Sequence, residues 1–356
     1  MFLRNAWYVA AWDHEVTSER PFGRVLLNEP VVLYRTRCGA VAALEDRCCH
    51  RHFPLHKGAV TGDFIQCGYH GFTYDASGKC VRVPGQDVVP AAARVRSYPV
   101  IERNRWIWIW MGDPAAADPA QVCDFRWLDH PAWRAKGDLL HVKADYELII
   151  ENLLDLTHLA FLHRSTIGNM ATAEQAEVRA QRSDDDVTVA RWMIDTPPPP
   201  TYVKAGGFTG NIDRWQFINF VPPAFVRLDV GGCATGAGAR DIKTGAFVAE
   251  GKMPGGIEMR NLNAITPETE RTTHYFWAQA HNFMIDDPRV TDLVFEQVKT
   301  AFFQDVEAIE AQQANIDRDP AFPRIDVNGD TGQIQAIRLL RRRIAEERDA
   351  AARRVA

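Results

Sequence analysis

The stretch "CCHRHFPLHKGAVTGDFIQCGYHG", residues 48–71, places three cysteines and four histidines within 24 residues. It contains two mixed pairs: Cys48-x-His50 and, after sixteen intervening residues, Cys67-x-x-His70. Each pair offers one thiolate and one imidazole. If the pairs lie on facing hairpin loops, they present two sulfurs and two nitrogens to a common site, so the stretch predicts a metal centre.

Two inorganic groups could be held by these four ligands. A structural zinc ion accepts two cysteines and two histidines tetrahedrally, but zinc sites usually bring like ligands together in short Cys–Cys and His–His pairs. A Rieske [2Fe–2S] cluster takes two cysteines on one iron and two histidines on the other. The mixed pairs favour the Rieske cluster over zinc and over a chance grouping of core cysteines and surface histidines.

The composition of the chain excludes several classes of protein. With 356 residues, 46% of them hydrophobic, the chain is long enough for two domains with separate cores. The net charge is −5 and the pI is about 6.1. A nucleic-acid binder would be expected to show a basic stripe, so the composition does not indicate one. No segment has the pattern of a signal peptide or membrane span, so we expect a soluble cytoplasmic protein. Seven cysteines, an odd number, do not predict a disulfide framework.

Residues 1–113 and 114–356 differ in the secondary structure that they predict. The first part has short β-type runs such as "EPVVLYR" and "WIWIWMG" between Gly, Pro and Asp turns, which predicts a small antiparallel sandwich or barrel. A Pro/Ala-rich connector at 112–122 marks the boundary. The second part combines strands with helical apolar spacing at 145–163 and 288–316, which predicts an α+β domain with helices laid against one sheet.

The segment "ENLLDLTHLAFLH", residues 151–163, carries a second group of candidate ligands. Asn152, Asp155 and His158 recur every three residues and would form one polar stripe on a helix. Buried polar groups need a partner or a metal, so a polar stripe in a leucine-rich helix predicts a site. His163 follows five residues after His158, about 140° further round an ideal helix. The two imidazoles therefore converge only if the helix ends or deforms between them.

Two histidines require a third, anionic ligand if the metal is iron. The 2-His-1-carboxylate arrangement occupies one face of an Fe(II) octahedron and leaves positions open for O₂. The acidic candidates in "AFFQDVEAIEAQQ" are Asp305, Glu307 and Glu310. Asp305 has apolar neighbours, whereas the two glutamates fit solvated helix positions, so we predict Asp305 as the ligand and Asn152 as a support behind it. A Rieske electron carrier, the non-enzymatic alternative, would not need this second ligand set.

The two motifs in this order resemble the oxygenase component of Rieske non-heme iron oxygenases. The likeness runs over nearly the whole chain, and "RNAWYVAAWDHEV", "NLLDLTHLAFLH" and "TPETE" resemble the branch of vanillate O-demethylase, toluenesulfonate methyl-monooxygenase and dicamba O-demethylase. The resemblance implies an α+β protein. An all-β Rieske [2Fe–2S] domain would occupy 1–113, and a catalytic mononuclear iron domain, an antiparallel helix-grip sheet flanked by helices, would occupy 114–356. Cys49 departs from the pattern, because such families commonly have proline there; we expect it to be a small packed residue.

The resemblance also implies an assembly and a reaction. In a homotrimer, Asp155 would accept hydrogen bonds from His70 of one subunit and His158 of the next, so a monomer should be inactive. A separate NADH-dependent flavin and iron–sulfur reductase would supply electrons to the cluster and onward to Fe(II). The expected reaction is O-demethylation of a vanillate-like methoxylated aromatic acid to a phenol and formaldehyde. The alternative is methyl hydroxylation or ring dihydroxylation of another aromatic acid.

A polar pair precedes "TPETE", at a position where relatives place substrate contacts. By the two-residue period of a strand, Asn261 and Asn263 share one face. We expect Asn263, and with it Asn261, to line the substrate pocket. The alternative is an exposed polar strand face.

Overall fold

The computed structural model describes residues 1–237 and 255–355. The chain divides into two units: Met1–Val122 with Thr266–Glu270 and Glu347–Ala356, and Cys123–Ile265 with Arg271–Glu346. The glycines of the stretch 231–247 predict a loop; that prediction is wrong for residues 231–234, which end a strand, and the stretch lies outside the described residues from position 238 onward. None of the described helices is both long and apolar enough to cross a bilayer.

The first unit is built from short antiparallel strands. These are β1 (Trp7–Trp12), β2 (Phe22–Leu26), β3 (Glu29–Arg35), β4 (Val41–Glu45), β5 (Ala59–Thr61), β6 (Phe64–Gln66), β7 (Thr73–Tyr74), β8 (Cys80–Arg82), β9 (Ser97–Tyr98), β10 (Val100–Arg103) and β11 (Trp106–Trp110). They form three sheets in the orders β1-β11-β10, β2-β3-β4-β9 and β5-β6-β7-β8. A tight turn at Leu27 and Asn28, both at positive φ, closes the β2–β3 hairpin. The predicted all-β N-terminal part is confirmed.

An apolar cluster supports the loops that follow β4 and β6. Leu55, Ile65 and Tyr74 are fully buried in it. Cys48 and Cys67 belong to the same cluster, so each loop is anchored by its cysteine while the rest of the loop stays nearer to solvent.

The second unit contains a seven-stranded antiparallel sheet. Its strands are β12 (Arg134–Val142), β13 (Glu177–Arg182), β14 (Val187–Thr196), β15 (Ile212–Val221), β16 (Phe225–Ala234), β17 (Ile257–Pro267) and β18 (Thr273–His281), in the order β12-β18-β17-β16-β15-β14-β13. The described helices along the chain are α1 (Tyr146–Leu154), α2 (Met170–Glu174), α3 (Pro200–Gly206), α4 (Pro288–Arg318) and α5 (Thr331–Val355). One antiparallel sheet with helices against it is the predicted α+β architecture.

Helix α4 lies against β12 and β18. Asp287 caps its start, because the Asp287 carboxylate accepts a hydrogen bond from the Arg289 N–H at 3.0 Å. Phe295 stacks on Trp277 of β18 with ring centroids 5.2 Å apart. The buried face of the helix repeats every three or four residues and includes Asp305, so that carboxylate points into the interior of the second unit.

The segment predicted as one helix over 145–163 is broken in two. Helix α1 ends at Leu154, Asp155 is extended (φ −115°, ψ 103°), and a 3₁₀ helix follows over Leu156–Ala160. The cause is local: the Asp155 carboxylate accepts a hydrogen bond from the Thr157 N–H at 2.9 Å and caps a new turn. The continuous helix is therefore wrong, and the first break comes before His158.

Candidate metal centres and active site

The structure brings the two mixed pairs of the first unit together. Cys48 and Cys67 are buried, whereas His50 and His70 are exposed and their ring centroids lie 4.6 Å apart. Tight turns shape both loops, since His52 N–H donates to Cys48 O at 2.9 Å and Gly71 N–H donates to Cys67 O at 3.1 Å. Each loop thus contributes one buried sulfur and one exposed imidazole.

Burial shifts the pKa values of Cys67 and His50 toward their neutral forms. Burial, followed by the neighbouring Cys48 thiol, raises the pKa of Cys67, while the backbone N–H groups of Tyr69 and His70 act in the opposite direction. Those two N–H groups would stabilise a thiolate once a cation has replaced its proton. Burial, and then the nearby His70 and Arg51, lowers the pKa of His50, which favours the neutral imidazole that a metal needs.

The spacing of the four side chains tests zinc against a two-iron cluster. Ligands of a single tetrahedral zinc ion sit about 2.0–2.3 Å from it, so they lie within about 4.6 Å of one another. Among the described residues, no three of Cys48, His50, Cys67 and His70 gather their ligand atoms within 4.8 Å. Two sulfurs and two imidazoles are the ligand set that a two-iron Rieske cluster needs.

The leftover residues of the opening stretch have other contacts. His56 N–H donates to Asp46 Oδ1 at 2.7 Å, and the His56 imidazole pairs with the same carboxylate. His52 is exposed, at φ 57°. Cys49 is half-buried and its sulfur lies 3.2 Å from the Tyr74 hydroxyl.

The second predicted ligand set converges in the second unit. His158, His163 and Asp305 hold their ligand atoms within 4.8 Å of one another. The Asp305 Oδ1 lies 3.0 Å from His163 Nε2 and 3.4 Å from His158 Nε2. Asn152 Nδ2 donates to the same oxygen at 3.0 Å, as expected for a residue that supports the ligand rather than binding the metal.

Outer hydrogen bonds orient both imidazoles. His158 Nδ1 lies 2.6 Å from the Asp155 backbone oxygen, and His163 Nδ1 lies 2.8 Å from Gln304 Oε1. Because both partners accept, each Nδ1 carries its proton, and each Nε2, which faces Asp305, is the nitrogen that would bind a cation in place of a proton. Sequence reasoning missed Gln304, which lies 141 positions from His163 along the chain.

The charges in this triad are strongly coupled. Burial raises the pKa of Asp305, but the hydrogen bonds and charges of His158 and His163 outweigh burial and lower it to about 2. Burial likewise lowers the pKa of His163, and the Asp305 carboxylate outweighs it, so the net pKa of His163 is raised. The site therefore keeps an ionised carboxylate ready for a cation at neutral pH.

A glycine permits the turn that carries His163. The N–H groups of Thr166 and Gly168 both donate to His163 O at 3.0 Å. A Cβ at position 168 would lie 1.7 Å from the Leu159 carbonyl oxygen, so any side chain there would force the turn apart. The stretch 164–169 thus forms a turn that folds back on the 3₁₀ helix.

The triad opens into a cavity with a mainly apolar wall. Its volume is about 60 Å³, well below the roughly 150 Å³ of a cavity that holds benzene. A ring-sized ligand therefore enters only as the wall moves apart. The apolar part of the wall includes Leu153, Leu156, Leu159, Met259, Val298 and Phe302.

A chain of buried hydrogen bonds ends at this cavity. Tyr275 Oη donates to Asn263 Oδ1 at 2.7 Å, and Asn263 Nδ2 donates to Asn261 Oδ1 at 2.8 Å. Asn261 Nδ2 donates in turn to Gln279 Oε1 at 3.0 Å. The direction is fixed because Asn263 Nδ2 also donates to the Val226 carbonyl, which can only accept. Asn261 and Gln279 line the cavity, Asn263 lies behind Asn261, and Gln279 Nε2 has no acceptor among the described residues.

Arg214 places a buried positive charge in the cavity wall. The residue is 3% exposed, and its guanidinium donates to Ile167 O at 2.9 Å and to Thr172 Oγ1 at 3.3 Å. Among the described residues it has no carboxylate partner, and its Nε has no hydrogen bond. Gln216, two residues along β15, also lines the cavity and leaves Oε1 unpaired. Sequence reasoning missed both, although their alternation on one strand is a signal.

Two family models match the chain. The Rieske [2Fe-2S] domain matches residues 6–99, and the vanillate O-demethylase oxygenase C-terminal domain matches residues 142–346. The chain belongs to the Rieske non-heme iron oxygenases. This oxygenase is a monooxygenase with two cofactors, a Rieske [2Fe–2S] cluster and a non-heme iron site at His158, His163 and Asp305. The predicted family, fold class and cofactors are confirmed.

Relatives of this oxygenase match it almost from end to end. The toluene-4-sulfonate monooxygenase system iron-sulfur subunit TsaM1 of Comamonas testosteroni is 42% identical over 98% of each chain. The vanillate O-demethylase oxygenase subunit of Pseudomonas sp. (strain HR199 / DSM 7063) is 36% identical over 99% of this chain and 97% of its own. The crystal structure of dicamba monooxygenase bound to dicamba has a TM-score of 0.86 at 32% identity, over 98% of this chain and 99% of that one. The first of these relatives is, by its name, one subunit of a monooxygenase system.

Within one chain, the Asp155 carboxylate contacts Thr157 and Arg191. It does not accept from His158, which bonds to the Asp155 backbone oxygen instead. Oδ1 accepts from Thr157 N–H and lies 4.0 Å from Arg191 Nη1. Within the part of the chain that the structure describes, Oδ2 accepts no hydrogen bond, so the carboxylate keeps a lone pair for a further donor.

Proposed function

We propose that this oxygenase hydroxylates a methyl carbon carried by an aromatic acid, with an O-methyl group as the first expected target. The observation that carries the proposal is one cavity lined by the metal triad, by a mainly apolar wall and by Arg214. An apolar wall fits a ring and excludes water from it. A buried guanidinium without a carboxylate partner fits the charge of an aromatic acid.

The proposed metal ligands divide between two centres. Cys48 and Cys67 hold one iron of the cluster, and His50 and His70 hold the other. His158, His163 and Asp305 hold the mononuclear iron, and Asn152 keeps the Asp305 carboxylate in place through its 3.0 Å hydrogen bond. Iron(II) on two imidazoles and one carboxylate supplies open positions at which O₂ is activated.

The polar groups of the wall orient the substrate. Arg214 pairs with the acid group, and Gln279 Nε2 and Asn261 are placed to contact its polar substituents. The wall residues that must move apart on binding then close over the ring and keep water from the reacting carbon. Residues 1–113 form the Rieske domain and 114–356 the catalytic domain in this proposal.

Asp155 is proposed to connect subunits of a homotrimer. Its unpaired Oδ2 and the exposed His70 imidazole are the acceptor and donor that such a contact needs. A carboxylate between the two centres would fix the orientation of the imidazole on the cluster.

The target carbon has two candidates with different support. Oxidation of an O-methyl group gives a hemiacetal that collapses to a phenol and formaldehyde; the family model named for vanillate O-demethylase supports it. Oxidation of a ring methyl group gives a benzylic alcohol. The relative with 42% identity supports that outcome, because toluene-4-sulfonate carries one methyl group on its ring.

The test is a product analysis with the complete system. Purified oxygenase, reductase and NADH are incubated with vanillate, dicamba and toluene-4-sulfonate, and O₂ uptake, formaldehyde and hydroxymethyl product are measured per NADH. Formaldehyde in proportion to NADH supports O-demethylation, and a hydroxymethyl product supports the second candidate. His158→Ala provides the control without turnover. A ring cis-diol as the main product, or coupled turnover of neutral arenes only, would contradict the proposal.

A further inference from the structure

Gln279 is a buried amide in the wall of the cavity that contains the metal triad. The residue lies on β18 and is 3% exposed. Its Oε1 accepts a hydrogen bond from Asn261 Nδ2 at 3.0 Å, and among the described residues nothing accepts from its Nε2. An amide whose oxygen is already paired in this way has its N–H groups left for a ligand. The free side of Gln279 is therefore a donor.

The orientation of this amide has a cause outside the cavity. An isolated amide can exchange the places of its oxygen and nitrogen, so a neighbour must fix it. Asn263 Nδ2 donates both to Val226 O at 3.0 Å and to Asn261 Oδ1 at 2.8 Å. A backbone carbonyl can only accept, which fixes the nitrogen of Asn263. Asn261 then accepts with its oxygen and donates with its nitrogen, which fixes Gln279 in turn.

Tyr275 forms the buried end of this series of hydrogen bonds. Its hydroxyl donates to Asn263 Oδ1 at 2.7 Å. We call the four side chains of Tyr275, Asn263, Asn261 and Gln279 the Gln279 chain. All of its hydrogen bonds run in one direction, toward Gln279. Because Tyr275 and Asn263 lie behind the cavity wall, the donor that a ligand meets is fixed by residues that the ligand does not touch.

We propose that the Gln279 chain makes the oxygenase select aromatic acids whose second substituent is a hydrogen-bond acceptor, with an aryl methyl ether as the preferred group. The inference deepens the proposed function and rests on it, since the acid group is taken to pair with Arg214. Arg214 lies on β15 and Gln279 on β18, with β16 and β17 between them. Three strand spacings of about 4.8 Å separate the two backbones by about 14 Å. One ligand therefore meets the two donors through two separate ring substituents.

Exchange of an ether oxygen for a methylene group isolates the role of the acceptor. An ethyl group has nearly the shape of a methoxy group but no lone pair. In a purely apolar pocket the ethyl compound binds more tightly, because removal of the ether oxygen from water costs free energy. Beside a buried donor the order reverses, because the ethyl compound leaves the Gln279 N–H unpaired. The sign of the preference thus reports whether Gln279 donates to the ligand.

The experiment is a calorimetric titration of the holoenzyme without reductase or NADH, so that no turnover occurs. The ligands are 4-methoxybenzoate and 4-ethylbenzoate, together with the two corresponding 3-substituted acids. At one ring position or the other, the wild type should bind the methoxy acid about threefold to tenfold more tightly than the ethyl acid, the scale of one neutral hydrogen bond. Gln279→Met keeps the side-chain length and removes the N–H, so it should bind the ethyl acid at least as tightly as the methoxy acid.

Three further variants separate the orientation of Gln279 from general damage to the cavity. Gln216→Met is the matched control, because Gln216 lines the same cavity from β15; it should keep the preference for the methoxy acid. Tyr275→Phe should also keep it, because the Val226 carbonyl still fixes Asn263. The double variant Tyr275→Phe/Asn263→Leu frees Asn261 and Gln279 to turn, so the preference should disappear although both wall residues remain. Iron and cluster contents are measured in parallel.

Equal affinities of the methoxy and ethyl acids for the wild type at both ring positions would overturn the inference. So would a preference that persists in Gln279→Met, or one that Gln216→Met abolishes and Gln279→Met does not. If the double variant does not assemble its metal centres, the two single Gln→Met variants decide. Failure of the proposed function is a different result: the preference is found, but no methyl carbon is oxidised when reductase, NADH and O₂ are added. Absence of binding by all four acids would contradict both.

Discussion

Gln304 should set how tightly the oxygenase holds its mononuclear iron. Its Oε1 lies 2.8 Å from His163 Nδ1, so it fixes the tautomer that leaves His163 Nε2 free to bind metal. Gln304→Met removes the acceptor at nearly constant side-chain length. Gln304→Glu keeps an acceptor at the same place.

The size of the effect follows from burial. Loss of an outer partner of a metal-bound histidine typically costs about 10–100-fold in metal affinity, which is about 1.4–2.8 kcal/mol. The His163 side chain is 0% exposed, so no water can replace the lost oxygen. The His158 side chain is 23% exposed and bonds to a backbone oxygen that substitution leaves in place. We therefore expect Gln304→Met to lose roughly 30–100-fold, the upper part of that range.

The assay is an anaerobic competition titration of Fe(II) between the oxygenase and a chelator, with the cluster content measured in parallel. Gln312→Met is the control, since Gln312 is an exposed residue of the same helix α4. Gln304→Glu should bind iron within a few-fold of the wild type. Equal iron affinity in Gln304→Met and Gln312→Met would show that the contact to His163 does not orient the ligand.

Three further outcomes test other parts of the site. Arg214→Met should weaken the binding of an aromatic acid such as toluene-4-sulfonate or vanillate by about tenfold to a hundredfold, the scale of a charged hydrogen bond, and Arg214→Lys by less; equal dissociation constants in equilibrium titrations would remove Arg214 from substrate binding. Cys67→Ala and His158→Ala subunits, each inactive alone, can be co-expressed as mixed oligomers. If electrons cross between subunits of a ring, about one neighbour pair in four joins an intact cluster to an intact iron site, so up to about one quarter of the wild-type turnover should be recovered. No recovery in purified mixed oligomers would count against the Asp155 bridge. Burial is the main cause that lowers the pKa of His281, with Arg134 adding to it, although the Phe283 carbonyl opposes both. As the pH falls, His281 is therefore protonated in the unfolded chain before it is protonated in the folded one. The contribution of neutral His281 to the free energy of unfolding is present above about pH 6.5 and is lost as the pH falls below that value. The urea midpoint of His281→Gln should fall less steeply with acid than that of the wild type.

The metal ligands could be predicted because their chemistry constrains the sequence at short range. Cys48 and His50 belong to one loop and Cys67 and His70 to another, so each loop by itself shows its spacing. Asp305 is distant in sequence, but a carboxylate on the buried stripe of α4 is unusual enough to be recognised. Each ligand can thus be recognised from its neighbours in the sequence, even though the ligands of one site come from distant parts of the chain.

Partners that only meet in three dimensions could not be predicted. Gln304 and His163 are separated by 141 positions, and no spacing rule connects them. The break before His158 also escaped prediction, because the apolar period of 145–163 continues through it. What decides the break is the Asp155 side chain, whose oxygen competes for a backbone N–H that a continuous helix would use.

The polar residues of the cavity wall show why the strand pattern was ambiguous. An antiparallel sheet often has one wet face, and then alternate polar residues simply face water. Here β17 and β18 are buried along their whole length, and Asn261 and Asn263 are 7% and 0% exposed. The alternative of an exposed polar face is therefore wrong. A polar side chain on a strand that is buried on both faces must find partners inside. In this oxygenase the cavity that contains the metal triad is also lined by Arg214, Gln216, Asn261 and Gln279.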